Sequence, residues 1–138
     1  MIDRTIVTRR IEEIDRHLKR IEEYADIGLE EFQQDPIVQD VVEYNCFQIV
    51  NHLIDIAQHI VVDEEYGFPQ TAYEAGQILF EKHIFSQNDL AIYREMVGFR
   101  NVVGHDYTNI NKKIVYSILK NGPKDIKGLV SRIVKKFL

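Results

Sequence analysis

Apolar residues in this chain return every three or four positions almost from end to end, and strict alternation is nearly absent. That rhythm lays the apolar side chains along one stripe of a helix, so it predicts an all-α fold and excludes sheet architectures. Ile6, Ile11, Ile14, Leu18, Ile21 and Ala25 form the first stripe, on a helix expected from Asp3 to Gly28. At 1.5 Å per residue it would be roughly 39 Å long. Asp35 as N-cap and Pro36 at the first helical position open a second helix to about Asp63, with Val38, Val41, Val42, Ile49, Leu53, Ile56 and Ile60 inward. Gly67 and Pro69 punctuate "EEYGFPQ", after which Thr71 and Glu74 have capping-box spacing for a third helix to about Ile84. Ser86 or Asn88 caps a fourth through about Val103, with Gly104 as its stop. A fifth is expected from Ile110 to Lys120, closing at Asn121-Gly122-Pro123, and a last one from Pro123 to Leu138. The expectation is one domain over residues 1–138: a bundle of five to six helices, two of them long and antiparallel.

With 138 residues, 45% of them hydrophobic and 28% charged, the chain has enough apolar mass for one core. Its apolar runs span only a few residues, against the ~20 that a membrane-crossing helix needs. "MIDRTIVTRR" mixes charges where a secretory signal would be apolar, so the expected location is the cytoplasm. The single cysteine, Cys46, allows no internal disulfide and reads as a small buried hydrophobe.

Charge is unevenly placed. Residues 1–69 carry 6 Lys/Arg against 16 Asp/Glu, giving −10, whereas residues 70–138 carry 11 against 6, giving +5. From residue 108 onward there are eight Lys/Arg and one acid, Asp125. A basic tail of this kind attracts polyanions even on an acidic protein, although Lys112, Lys113, Lys120, Lys124, Lys127, Lys135 and Lys136 read equally well as solvated helix faces.

The stretch richest in chemistry is "MVGFRNVVGHDY", where Arg100, His105 and Tyr107 crowd around a glycine. In an unbroken helix Arg100 and His105 would stand about 140° apart around the axis. A helix ending at Gly104 would let His105 fold back toward Arg100, with Asp106 or Thr108 capping the next helix. Arginine grips phosphoryl oxygens without losing its proton, and imidazole titrates near neutrality, so the pair suits phosphate-ester chemistry without a metal or cofactor. RNA brings its own nucleophile, the 2′-hydroxyl. One histidine leaves the departing oxygen without an acid; a two-fold dimer would bring two His and two Arg into one cleft.

"RNVVGHDY" resembles the Arg, four residues, His, one residue, Tyr signature of the HEPN family, specifically the HepT-type toxins encoded beside a minimal nucleotidyltransferase (MNT) antitoxin. "NHLIDIAQHIV", "GFPQT" and "INKKIVYSIL" extend the resemblance over most of the chain from Tyr44 to Leu119. The resemblance implies the toxin of a type VII-like toxin–antitoxin pair: a metal-independent ribonuclease acting on tRNA or mRNA, with Arg100 and His105 lining a composite cleft of a homodimer. It implies that Asn101 orients its neighbours, and that Tyr107 is the tyrosine adenylylated by the MNT partner, an added anion that would repel RNA. The alternative is a noncatalytic helical subunit that docks a nucleotidyltransferase.

Plainer readings stand beside these. Arg100 could be a helix C-terminal cation pairing with a carboxylate, His105 a loop histidine, and Tyr107 a core aromatic. His52, Asp55 and His59 share one face of the second helix, its ends about 10 Å apart, too far for one metal without a third element. Asp55 and His59 are candidates to pair and support the cleft. His17 and His83 read as solvated. No Glu-x-x-His occurs, which argues against a carboxylate-bridged di-metal bundle, and no phosphate-cradling glycine loop supports a P-loop or dinucleotide fold.

Overall fold

A computed structural model describes residues 1–105 and 110–138, and among them every regular element is a helix. There are six: α1 (Arg4–Glu22), α2 (Leu29–Gln33), α3 (Pro36–Asp63), α4 (Ala72–Glu81), α5 (Gln87–His105) and α6 (Lys112–Phe137). None is long and apolar enough to cross a membrane.

The caps explain most boundaries. Asp3 accepts from Thr5 and Ile6 backbone N–H groups at the start of α1, and Asp35 from Val38 N–H at the start of α3, where Pro36 follows. Thr71 Oγ1 accepts from Glu74 N–H at 3.0 Å to open α4. Ser86 and Asp89 cap α5 reciprocally: Asp89 N–H donates to Ser86 Oγ at 3.0 Å, and Ser86 N–H to Asp89 Oδ2 at 2.9 Å. Asp89 is buried and also receives Arg132 Nε from α6 at 2.7 Å, which ties the start of α5 to the bundle.

α1 and α3 pack antiparallel. The amino terminus donates to Asp63 O at 2.9 Å, while His17 near the other end of α1 meets Asn45 of α3. The core is one apolar cluster drawn from all the helices, including Ile14, Ile21, Phe32, Ile49, Leu53, Leu79, Tyr93, Leu119 and Ile126.

Several features differ from expectation. α1 stops at Glu22 instead of Gly28: the Tyr24 and Ala25 N–H groups turn back to Ile21 O and Glu22 O in tight turns, and α6 holds the segment that follows, with Lys120 Nζ donating to Ala25 O and Tyr116 Oη to Ile27 O at 3.1 Å. The short α2 is an element beyond those expected; it buries Phe32 completely, against Tyr116 with ring centroids 5.5 Å apart. Most consequentially, α6 runs straight through Pro123. Proline in a helix interior costs about 3 kcal/mol, but Val115, Leu119, Gly122, Ile126, Leu129 and Ile133 form one buried stripe across it. Continuous burial outweighs the missing donor.

Candidate active site

α5 carries Arg100, Asn101 and His105, and its placement follows from the core. Tyr93 is fully buried and donates its hydroxyl to Ala72 O at 2.7 Å, while Gly76 of α4 lies flat against its ring. Burial pushes the Tyr93 phenol well above its ordinary range, and Arg100 pulls it only partly back. Val97, Phe99 and Val103 are buried further along, so the two turns that carry the candidate residues are pinned from below.

The helix does not stop at Gly104. It continues through that residue and ends on His105, and Gly104 is not in the left-handed region that a terminating glycine adopts. A Cβ at Gly104 would sit 4.0 Å from Phe47 Cε2, ordinary contact distance, so nothing at this position requires glycine. The chain break expected to fold His105 back onto Arg100 is therefore absent. Along a continuous helix the two residues stand about 140° apart around the axis and about 7.5 Å apart along it. One chain therefore places the two residues on different sides of α5. Asn101, one turn before His105, shares the imidazole's side.

Arg100 is half-buried, and its Nε is sealed from solvent without a hydrogen-bond partner. Among the described residues no carboxylate pairs with it, so the plainer reading of Arg100 as half of a surface ion pair finds no partner there. His105 is exposed at the end of the helix. Tyr107, with the candidate caps Asp106 and Thr108, lies outside the described residues.

Two features frame this end of α5. Glu43 on α3 is completely buried and receives Lys112 Nζ at 2.5 Å, which fixes the first residue of α6 just beyond positions 106–109. Its second oxygen, Oε2, is buried without a partner. An open groove of about 1060 Å³ runs between α5 and α6, floored by Cys46 and Val50, with Val102 and Ile114 standing half-exposed on its rims. Burial, and then the nearby Glu43 charge, push the Cys46 thiol up to about 12, so it rests as a protonated hydrophobe.

The other candidates lie elsewhere. Asp55 receives Arg10 Nε of α1 at 3.3 Å, and His59, one turn on, shares that α1-facing side of α3. α5 packs against a different face of α3, through Phe47 and Val50. No described contact joins Asp55 or His59 to Arg100. His17, expected in solvent, is buried at 3% exposure. On α6, Lys127 pairs with Glu22 at 2.7 Å, and Lys120 and Lys112 are also engaged; Lys113, Lys124, Lys135 and Lys136 make no described ion pair.

Sequence reasoning misses Glu43. Its signal is a carboxylate within the apolar run "VVEYNCF", on the stripe shared with Cys46 and Val50. Lys112, 69 positions away, is not legible as its partner without the fold.

Residues 14–133 match the model of the ribonuclease HepT-like family. The chain belongs to this family. It is 30% identical over 128 residues to the mRNA nuclease HepT of Shewanella oneidensis, covering 93% of this chain and 96% of that protein. The tri-AMPylated HEPN toxin of the same organism, solved in complex with an MNT antitoxin, superposes with a TM-score of 0.87 at 30% identity, covering 94% of this chain and 97% of that one. A toxin–antitoxin complex with AMP-PNP matches equally, at a TM-score of 0.87 and 30% identity over 95% and 98% of the two chains. The Bacillus subtilis cytosolic protein YutE shares the fold alone, with a TM-score of 0.84 at 11% identity.

Proposed function

We propose that this HepT-like chain is the toxin of a toxin–antitoxin pair and cleaves RNA, tRNA or mRNA, at a composite site formed by two copies of itself. Two observations support the reading together: membership of a ribonuclease family over most of the chain, and an α5 that carries Arg100 with an unpartnered buried Nε and His105 in solvent. In this reading one His105 takes the proton of the 2′-hydroxyl as its oxygen bonds to phosphorus, and the bond to the 5′-oxygen breaks to leave a 2′,3′-cyclic phosphate. The His105 of the second copy protonates that departing oxygen, and the Arg100 guanidinium stabilises charge on the pentacoordinate phosphorus. Both roles are filled by side chains without a metal. The separation of the two positions around α5 supports the homodimer, because a second chain lets a guanidinium and an imidazole meet across one cleft. The groove beside α5, rimmed by the half-exposed Val102 and Ile114, offers apolar surface for that second copy. Asn101 orients His105 from one turn below, and the lysines of α6 that make no described ion pair draw in the RNA backbone.

An MNT nucleotidyltransferase is the proposed antitoxin, and adenylylation of Tyr107 the neutralising step. The S. oneidensis relative found AMPylated beside an MNT protein supports both. Arg100 and His105 disfavour a docking subunit without activity. The deciding experiment incubates purified protein with total RNA in excess chelator. Wild type should degrade it, and folded His105→Ala should not. Equal survival of the RNA with both proteins would refute the nuclease reading. Tyr107→Phe should stay toxic in cells yet escape its partner, whereas an inert Tyr107→Phe would refute the assigned role.

A further inference from the structure

On the opposite side of α3 from the groove, α1 and α3 bring together Glu13, His17 and His52, whose ligand atoms all lie within 4.8 Å of one another. Glu13 and His17 are one turn apart on the same face of α1, and His52 faces them from α3 with its ring stacked on that of His17, centroids 5.9 Å apart. The stripe of His52, Asp55 and His59 could not hold a metal by itself; α1 supplies the missing third element.

What makes this more than a cluster is the way His17 is held. Asn45 donates its Nδ2 to Val41 O at 2.7 Å, and a carbonyl can only accept, so the amide has one orientation. Its Oδ1 therefore faces His17 Nδ1 at 2.7 Å and must receive a proton from it. The buried imidazole is thereby fixed as the Nδ1–H tautomer, with the lone pair of Nε2 left for a ligand. A histidine whose other nitrogen is anchored to an oxygen acceptor is the arrangement found behind metal-bound imidazoles.

We infer that Glu13, His17 and His52 form a site for one borderline divalent transition-metal ion, with Zn²⁺ as the expected occupant. Two imidazoles and a carboxylate leave the fourth tetrahedral position to water. Bonds of about 2.0–2.1 Å need ligand atoms roughly 3.4 Å apart, and the half-exposed Glu13 and His52 close the difference by rotation about their side-chain bonds. Glu13 must first leave Arg16, which donates to it at 2.5 Å. The Asp55 carboxylate offsets Arg10 beside His52. A bound ion would clip α1 to α3.

The test titrates Zn²⁺ alone, and Co²⁺ alone, into tag-free, chelator-stripped protein. Calorimetry should give one ion per chain, and Co²⁺ should show the visible absorption of a tetrahedral centre. Zn²⁺ at about a hundredfold excess over Kd should raise the melting temperature by roughly 8–13 °C. Glu13→Gln and His52→Ala, both at partly exposed positions, should bind at least about tenfold more weakly. Arg16→Ala, which frees Glu13, should bind about 2–5-fold more tightly, a gain that misfolding cannot mimic. Absence of saturable binding, or unchanged affinity in His52→Ala, would overturn the site. RNA cleavage does not enter the readout, so the result is independent of the nuclease reading.

Discussion

Substituting Gly76 by alanine tests how α5 is held. A Cβ at this position would lie 2.4 Å from both Cδ1 and Cε1 of Tyr93, whereas ordinary contacts begin near 3.4 Å. The overlap of about 1 Å falls on a ring that is fully buried and tethered through its hydroxyl to Ala72 O at 2.7 Å, so it cannot swing into solvent. Overpacking of this kind costs about 1–3 kcal/mol, and straining the tether adds about 0.5–1.5 kcal/mol. Alanine's advantage over glycine within a helix returns about 0.5–1 kcal/mol. The balance is about 2 kcal/mol of destabilisation, or a fall in Tm of roughly 6–10 °C for a chain of this size. Urea and thermal unfolding followed by circular dichroism would measure it. The cause is isolated by repeating the substitution in a Tyr93→Leu background, where the cost should fall by more than half. A Gly76→Ala protein as stable as wild type, or an equal penalty in both backgrounds, would refute the claim that this contact sets the seating of α5.

The same contacts lead to other outcomes. Glu43→Ala strands the start of α6; because Lys112 is one-third exposed and can rehydrate, the loss should be about 2 kcal/mol rather than the 3–5 kcal/mol of a fully buried pair, as read by urea unfolding. Cys46, with its thiol pushed up to about 12, should resist alkylation at pH 8 in the folded protein and react at the ordinary rate once unfolded; labelling of the native state would show that the groove floor is open. His52 has a depressed value in the folded state, so the unfolded chain binds more protons as pH falls below about 6.5 and stability declines there. In chelated buffer, His52→Asn should flatten that acid-side decline in Tm between pH 7 and 5, and an unchanged slope would contradict the shift.

The helices are legible in the sequence because caps and stripes are local. Asp35-Pro36, Thr71 and Ser86 each announce a start that the structure keeps. The pattern misleads where distant groups decide. Pro123 looks like a stop until the unbroken stripe from Val115 to Ile133 is seen packed, and residues 23–27 look helical until Lys120 and Tyr116 of α6 are seen holding Ala25 and Ile27 in the turns that follow α1. Gly104 misleads in another way: glycine permits a left-handed stop without imposing one, and here the helix runs on to His105. The motif spacing thus singles out the candidate residues of α5 but not their relative direction. The Asn45 anchor that turns His17 from a surface residue into an oriented ligand depends on two helices meeting, and no spacing in either one reveals it.

The central claim, that each reaction centre draws on two chains, is tested most directly by complementation. Arg100→Ala and His105→Ala proteins, each inactive alone, are unfolded together, refolded as a mixture to exchange chains, and assayed for RNA cleavage. Mixed dimers retain one guanidinium and one imidazole on opposite chains but lack the second imidazole, so that water must protonate the departing oxygen, and the account predicts that a small part of the wild-type activity returns. A mixture with demonstrated chain exchange that stays as inactive as its components would contradict it.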